Sequence, residues 1–211
     1  MGYITYNLYC LFFGTNPTGL GIAFGIIFGL IPDFDIILFL KDLLKGDKSK
    51  RLGKTFKHHE FPTHYPILYS PLIILVIFIP NIYTITIITT IYLHLLLDTF
   101  YTSDGIKWLY PFNRKFYVLL SDKTIGKQGA YWEKAYKTTI FFKLEFILLA
   151  IAEFFLWWNH FYYYKTPTWS LILIGILAIC FFLIMLLIER WRSRYIDSLI
   201  AEDQENQKSF Y

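Results

Sequence analysis

The residues best suited to chemistry in this sequence are histidines and aspartates that lie among apolar side chains. The run IYLHLLLDTF, residues 91–100, places His94 and Asp98 four positions apart, which puts both side chains on one face of a helix. This spacing allows the two side chains to bind one metal ion, or the carboxylate to orient a histidine ligand. The alternative is a buried hydrogen bond between His94 and Asp98 that only neutralises the pair.

A second group of histidines lies upstream, in the segment KHHEFPTHYP, residues 57–66. His59 and His64 are five residues apart with Pro62 between them, so they do not share a helical face and must converge through a turn. A solvated polar loop is the alternative to a metal-binding loop. Histidine and carboxylate ligands without cysteine suit zinc, manganese or iron, and the number of histidines favours zinc.

Asp33 and Asp35 form a third group, in the segment GLIPDFD, residues 29–35. Both follow Pro32, and acidic residues in a first helical turn interact favourably with the helix dipole, so helix capping is one explanation. Two carboxylates two residues apart also offer oxygen ligands to a divalent cation. Because they point in different directions on a helix, they would serve two neighbouring ions, or one ion and its outer ligands.

The elements that must position these residues are membrane helices. The chain has 211 residues, of which 55% are hydrophobic and 21% aromatic, and residues 1–32 contain no Asp, Glu, Lys or Arg. Soluble domains are about 45–50% apolar, and they reach that share without such long uncharged stretches. The sequence therefore predicts an all-α, polytopic helical membrane protein with a metal-binding helical core at the cytoplasmic face.

Segment length and turn residues predict where the spans lie. Residues 171–188 are long enough to cross the hydrocarbon core, and residues 140–158 precede them as another span. Residues 66–80 and 82–98 are each short for a crossing and predict a helical hairpin with a tight turn at Pro80-Asn81. Near the N-terminus, glycine recurs every fourth residue, at positions 21, 25 and 29, which lets another helix approach closely.

Lysine and arginine predict the orientation in the membrane. Residues 41–57 and residues 107–137 hold seven basic residues each, and the tail after residue 188 holds four. The Pro80-Asn81 turn holds none. Basic loops lie on the cytoplasmic side of membrane proteins, so these segments and the C-terminus are predicted to be cytoplasmic in an inner membrane. The basic clusters are not interleaved with stacking aromatic residues, and no nucleic acid partner is expected.

Three motifs in this order resemble the YdjM-like family of membrane-bound metal-dependent hydrolases. They are GLIPDFD (29–35), HEFPTH (59–64) and HLLLDTFYTSDGIKWLYPF (94–112), within residues 1–115. The family is similar, more distantly, to zinc-dependent phospholipase C and to nucleases of the same all-helical fold, which cleave phosphodiesters at a multinuclear zinc site. The resemblance implies a ligand set of Asp33, Asp35, His59, His64, His94 and Asp98.

The chain departs from the family pattern at Glu60, where the family usually has arginine, and near the N-terminus, where Asn7 is the polar residue nearest to a usual histidine. Glu60 would compensate as a ligand or act as general base for a metal-activated water. The resemblance thus predicts hydrolysis of a phosphoester of a lipid or lipid-linked substrate, with membrane lipids as partners. The alternative is a non-enzymatic scaffold or small transporter that holds or moves an ion at the same residues.

These inferences divide the chain into four predicted parts. A metal-dependent hydrolase-like membrane domain occupies residues 1–115, and a cytoplasmic connector follows at 116–139. A two-helix membrane hairpin then spans residues 140–188, and residues 189–211 form a cytoplasmic tail.

Overall fold

The structure, a computed structural model, describes residues 1–35, 58–101, 105–119, 127 and 129–208. These residues form helices joined by turns, and no β-strand occurs among them apart from one isolated antiparallel bridge between Ile106 and Tyr117. The all-α prediction is confirmed for this part of the chain. The basic segment 41–57 lies outside the described residues. The described chain divides into two compact units between residues 119 and 127, within the predicted connector.

The first unit contains the three motifs. Its described α-helices are α1 (Gly2–Phe13), α2 (Gly19–Leu30), α3 (Ser70–Phe78) and α4 (Ile82–Tyr101). Short 3-10 helices carry the polar motifs between them, at Ile31–Asp35, His58–Glu60, Pro62–His64 and Pro66–Tyr69.

The predicted helical hairpin is present as α3 and α4. Pro66 opens the 3-10 turn that leads into α3, as expected for a residue that has no N–H to donate. The side chain of Asn81 then accepts hydrogen bonds from the backbone N–H groups of Tyr83 and Thr84, at 2.9 and 3.1 Å. These bonds satisfy N–H groups in the first turn of α4, so Asn81 defines where α4 begins.

Helices α1 and α2 pack on each other through glycine. A β-carbon at Gly25 would lie only 2.5 Å from the carbonyl oxygen of Gly2, and the ring of Tyr6 covers Gly21. Only residues without a side chain allow two helix backbones to approach this closely. The predicted glycine stripe therefore forms the α1–α2 contact at positions 21 and 25, whereas Gly29 has ordinary space around it.

Helix α4 holds polar side chains without leaving their hydroxyl groups unbonded. Thr86, Thr90 and Thr99 are buried, and each donates a hydrogen bond to the carbonyl oxygen four residues earlier, at 2.7–2.9 Å. Satisfied hydroxyls cost far less to bury than free ones. Between them, Ile91 and Leu95 are fully buried and form the apolar core of the unit, together with Tyr69 and Ile106.

The second unit consists of α5 (Gly129–Tyr136), α6 (Ile140–Trp158) with a π-helical turn at its end, and α7 (Thr168–Lys208). Helix α7 has 41 residues and is therefore about 60 Å long, roughly twice the thickness of the hydrocarbon core. It continues past residue 188, where the predicted membrane hairpin ends, because neither glycine nor proline occurs after Gly175.

Two helices of the described chain are long and apolar enough to cross a membrane, α4 over Ile82–Phe100 and α7. The apolar segment Pro66–Phe78 is shorter than a full crossing. Helix α6 has the length of a span, and it carries Lys143, Glu145 and Glu153. The polytopic arrangement, with a span at residues 140–158 in addition, therefore stays a prediction.

Candidate metal centre

The first two residues of the cluster lie on one face of α4. The Nε2 atom of His94 is 3.2 Å from Oδ2 of Asp98, in the i, i+4 arrangement that the spacing predicts. Both side chains are largely enclosed, with 16% and 19% of their surfaces exposed. The buried residues Ile91 and Leu95 flank His94 on the helix, so the site lies against the apolar core.

The loop histidines reach the same place through two consecutive 3-10 turns. Phe61 is extended, and Pro62 then starts the Pro62–His64 turn. This turn brings the rings of His59 and His64 to a centroid separation of 4.8 Å, and both residues are buried. A buried pair of imidazoles differs from the solvated polar loop that the sequence left open as an alternative.

Histidines and aspartates from three separate segments converge at this point. The Nε2 atom of His64 lies 3.7 Å from Oδ1 of Asp33 and 3.8 Å from Oδ2 of Asp98. The same Asp33 oxygen is 3.4 Å from Nε2 of His94, and Nε2 of His59 is 4.0 Å from the Asp98 oxygen. Two overlapping groups could hold a metal ion, Asp33–His64–His94 and His59–His64–Asp98.

These separations agree with those between the ligands of a single metal ion. Donor atoms at 2.0–2.2 Å from a tetrahedral zinc ion lie about 3.3–3.6 Å from one another. The four distances that join His64 and His94 to Asp33 and Asp98 range from 3.2 to 3.8 Å. His59, at 4.0 Å from Asp98, lies somewhat outside this set.

A backbone contact fixes how His94 presents its ring. Its Nδ1 atom is 2.8 Å from the carbonyl oxygen of Gly29, and because a carbonyl oxygen only accepts, Nδ1 carries the proton. In the neutral ring, Nε2 then holds a lone pair directed toward Asp33 and Asp98. Metal-binding histidines characteristically donate their second nitrogen to such a carbonyl, so the last turn of α2 orients a ligand on α4.

A model of the YdjM inner membrane protein family matches residues 1–192 of this sequence. The chain belongs to this family. None of the curated proteins or solved structures compared with it matches. Membership and the long apolar helix α7 make the chain an inner membrane protein. The YdjM-like resemblance is thereby confirmed, and the more distant similarity to zinc-dependent phospholipase C stays a prediction.

Two of the predicted site residues of this YdjM family member are not members of the candidate ligand groups. Asp35 is buried at 3% exposure, yet the two groups include Asp33 and not Asp35. Glu60 is exposed next to His59, and its backbone carbonyl, not its carboxylate, accepts the hydrogen bond from Tyr65. A role of either carboxylate in metal binding or catalysis stays a prediction.

Asn7, the residue nearest to the position of the N-terminal family histidine, is buried in α1. Its amide donates to the backbone carbonyl of Tyr3 at 2.8 Å.

Several residues that shape the centre belong to no recognisable sequence motif. Three tyrosine hydroxyls hold the histidine loop by donating to backbone carbonyls: Tyr65 to Glu60, Tyr69 to Thr63 and Tyr92 to Pro66, at 2.6–3.0 Å. In a chain with 17 tyrosines, spacing alone does not single these three out. The Gly29 carbonyl is equally hidden in a sequence, because every residue has one.

Proposed function

We propose that this YdjM family member is a membrane-bound metal-dependent hydrolase that cleaves a phosphoester of a lipid or lipid-linked substrate. One observation carries the proposal: the Nε2 atoms of His64 and His94 and the carboxylates of Asp33 and Asp98 converge at ligand–ligand distances. Fold and family membership alone do not give an activity, so the argument rests on the chemistry of this site.

The donor set calls for a positive charge at its centre. Carboxylate oxygens only accept hydrogen bonds, and the Nε2 atom of neutral His94 also only accepts, because Nδ1 donates to Gly29. Placing such atoms 3.2–3.4 Å apart in a largely enclosed site is unfavourable unless a positive charge, either a proton on Nε2 of His94 or a bound cation, lies between them. A divalent metal ion supplies that charge, with zinc favoured by the imidazole donors and manganese or iron as alternatives.

The surroundings favour a reactive site over a closed structural one. Structural zinc sites use four protein ligands and exclude water, whereas catalytic sites keep a coordination position open. Each candidate group supplies three protein donors, which leaves a coordination position open, and the Asp33 side chain keeps 31% of its surface exposed. A bound divalent cation would polarise a phosphoryl oxygen and lower the pKa of water for attack at neutral pH. The chain's own donors hold that charge in place, and exposure of Asp33 gives a substrate access.

The segment 105–119 supports an anionic, lipid-like substrate. The Nε1 atom of Trp108 in this segment donates a hydrogen bond, at 2.7 Å, to the hydroxyl of Thr99. Thr99 is the residue after Asp98 on α4. Lys107 lies over the ring of Tyr65, the residue after His64, with 5.6 Å from its Nζ to the ring centroid. Phe112 is 91% exposed on the same segment. A cation near the histidine loop and an exposed aromatic ring on the same segment suit a phosphate that carries an apolar chain.

The proposed orientation places this centre at the cytoplasmic face. Asp98 lies near the C-terminal end of α4, and the basic residues of the predicted connector follow it. Positive charge near the end of a span favours the cytoplasmic side. Lipids and lipid-linked phosphoesters of the inner leaflet would then be the accessible substrates and partners.

The test is metal-dependent hydrolysis by the purified full chain in detergent micelles. Protein treated with chelator and then supplied with Zn²⁺, Mn²⁺ or Fe²⁺ is assayed on bis-p-nitrophenyl phosphate and on a phospholipid in mixed micelles. We expect turnover that requires the metal and that falls at least 100-fold in Asp98→Asn. Asp197→Asn, the same change at an exposed residue of α7, serves as the control and keeps full activity.

Two results would contradict the proposal. Stoichiometric metal without turnover on either substrate would identify a structural or transported ion, as in the scaffold or transporter alternative. Turnover that is unaffected by chelation and by Asp98→Asn would place the activity elsewhere.

A further inference from the structure

Helix α7 changes character where it leaves its apolar section. Residues 171–188 contain no Asp, Glu, Lys or Arg, and then Arg190, Arg192 and Arg194 follow within five positions. Because α7 is continuous to Lys208, these residues keep the helical register of the span. Leu183 and Leu187 therefore lie on the same face of α7 as Arg190 and Arg194, which follow Leu187 by one and two turns.

One side of α7 is occupied by α5 beyond the span. Ile196, Leu199 and Ile200 are buried against Ala130. On the same side, Arg192 Nε is 2.7 Å from Glu133, and Lys137 Nζ is 2.6 Å from Glu189. These contacts define the face of α7 that packs against α5.

The opposite face carries two cations and two aromatic rings. Arg190 and Arg194 are one helical turn apart and exposed, and among the described residues neither forms an ion pair, in contrast to Arg192. Trp191 is 63% exposed, and its ring stacks on that of Tyr195 with centroids 6.0 Å apart and planes 10° apart. We call these four residues the juxtamembrane patch.

Two features identify what this patch would bind. The exposed face of α7 is apolar up to Leu187, which is 65% exposed, so the patch begins where the hydrocarbon core ends. Farther out on this face the charge reverses at Glu202, eight residues and about 12 Å beyond Arg194. No basic residue occurs on α7 between Arg194 and Lys208, so the arginine pair lies at the depth of the headgroups, and tryptophan and tyrosine prefer that same depth.

We propose that the juxtamembrane patch binds the phosphate headgroup of an anionic phospholipid. The guanidinium groups of Arg190 and Arg194 match phosphate oxygens in pairs. The stacked rings of Trp191 and Tyr195 then lie against the glycerol and upper acyl region of the lipid. A soluble phosphate compound would gain the arginine contacts but would not use the aromatic pair or the apolar surface below it.

The experiment is a lipid titration of the full chain in a neutral detergent, read by native mass spectrometry. Phosphatidylglycerol is compared with phosphatidylcholine of the same acyl chains, in wild type and in Arg190→Gln, Arg194→Gln and the double variant. At about fivefold in affinity per basic residue near the surface, we expect each single change to weaken phosphatidylglycerol binding about fivefold. The double change should weaken it about 25-fold.

Arg192→Gln is the matched control, because it removes the same charge from the same helix on the α5 side. Lys208→Gln provides a second control near the end of α7, in case Arg192→Gln disturbs the contact with α5. Both controls should bind phosphatidylglycerol within twofold of wild type, and inorganic phosphate at millimolar concentration should not compete. The proposal is overturned if phosphatidylcholine binds equally well, if the controls lose as much affinity as the patch variants, or if inorganic phosphate displaces the lipid.

Discussion

Replacement of Gly25 by alanine tests how the first unit holds α1 against α2. The added β-carbon would lie 2.5 Å from the Gly2 carbonyl oxygen, whereas ordinary contact begins near 3.4 Å. The difference between 3.4 and 2.5 Å requires the two backbones to separate by about 0.9 Å. Backbone atoms have no rotamer by which to avoid the clash, so the helices themselves must shift.

The expected destabilisation follows from the cost of overpacking. Such insertions cost about 1–3 kcal/mol, and for a chain of this size each kilocalorie lowers the melting temperature by about 2–4 °C. Gly25→Ala also gains about 1 kcal/mol of helix propensity, which offsets part of the loss. Comparison with alanine at a second glycine of the same helix cancels this gain in helix propensity.

Gly29→Ala is that matched control. It lies one turn farther along α2, and its β-carbon would meet its nearest neighbour at 3.6 Å, an ordinary contact. Thermal unfolding in detergent, followed by intrinsic tryptophan fluorescence, should place Gly25→Ala about 2–12 °C below Gly29→Ala. Equal melting temperatures, or a more stable Gly25→Ala, would refute the inference that α1 and α2 pack through glycine.

Three further predictions concern the metal centre. Asp33→Asn should lower the metal content, measured by elemental analysis, at least tenfold, and Asp35→Asn should retain it, because of these two residues only Asp33 belongs to a candidate ligand group. The reverse order would show that the wrong carboxylate has been assigned. Lys107→Gln should raise KM for an anionic lipid substrate about five- to tenfold and change kcat less than twofold, because the Lys107 cation near Tyr65 would bind the substrate phosphate without taking part in the reaction. A loss confined to kcat would argue against this role. Metal occupancy at a limiting metal concentration should fall as the pH is lowered, because protons compete with the metal for the imidazole nitrogens. Occupancy that does not depend on pH would argue against histidine ligands.

Local spacing predicted the part of the site that a single helix determines. His94 and Asp98 are four residues apart in an unbroken apolar run, and helical periodicity alone brings their side chains together. The approach of His59 and His64 was expected only in outline, because Pro62 excludes a shared helix face without specifying the turn. Their actual positions depend on tyrosine contacts from α4 and the loop itself, which no local pattern encodes.

For a similar reason, the sequence could not show which of Asp33 and Asp35 belongs to the candidate metal centre. Two residues apart, the carboxylates point in different directions, and only the packing of the 3-10 turn after α2 decides which one faces His94. The length of α7 was also not predictable from a local change in composition. The change from apolar to charged residues at position 189 marks the end of the membrane section, but helix continuation depends on the absence of glycine and proline and on side-chain contacts with α5.

The metal content of purified protein tests the central claim most directly. Wild type, Asp98→Asn and the exposed control Asp197→Asn are purified in parallel without chelator, and zinc, manganese and iron are measured per chain. Asparagine is nearly isosteric with aspartate, so the protein should insert and purify normally, while the weaker oxygen donor lowers metal affinity. The account predicts at least one divalent metal ion per chain in wild type and in Asp197→Asn, and a large loss in Asp98→Asn. No metal in any of the three proteins, or equal content in all of them, would contradict it and leave His94 and Asp98 as a buried polar pair that stabilises the fold.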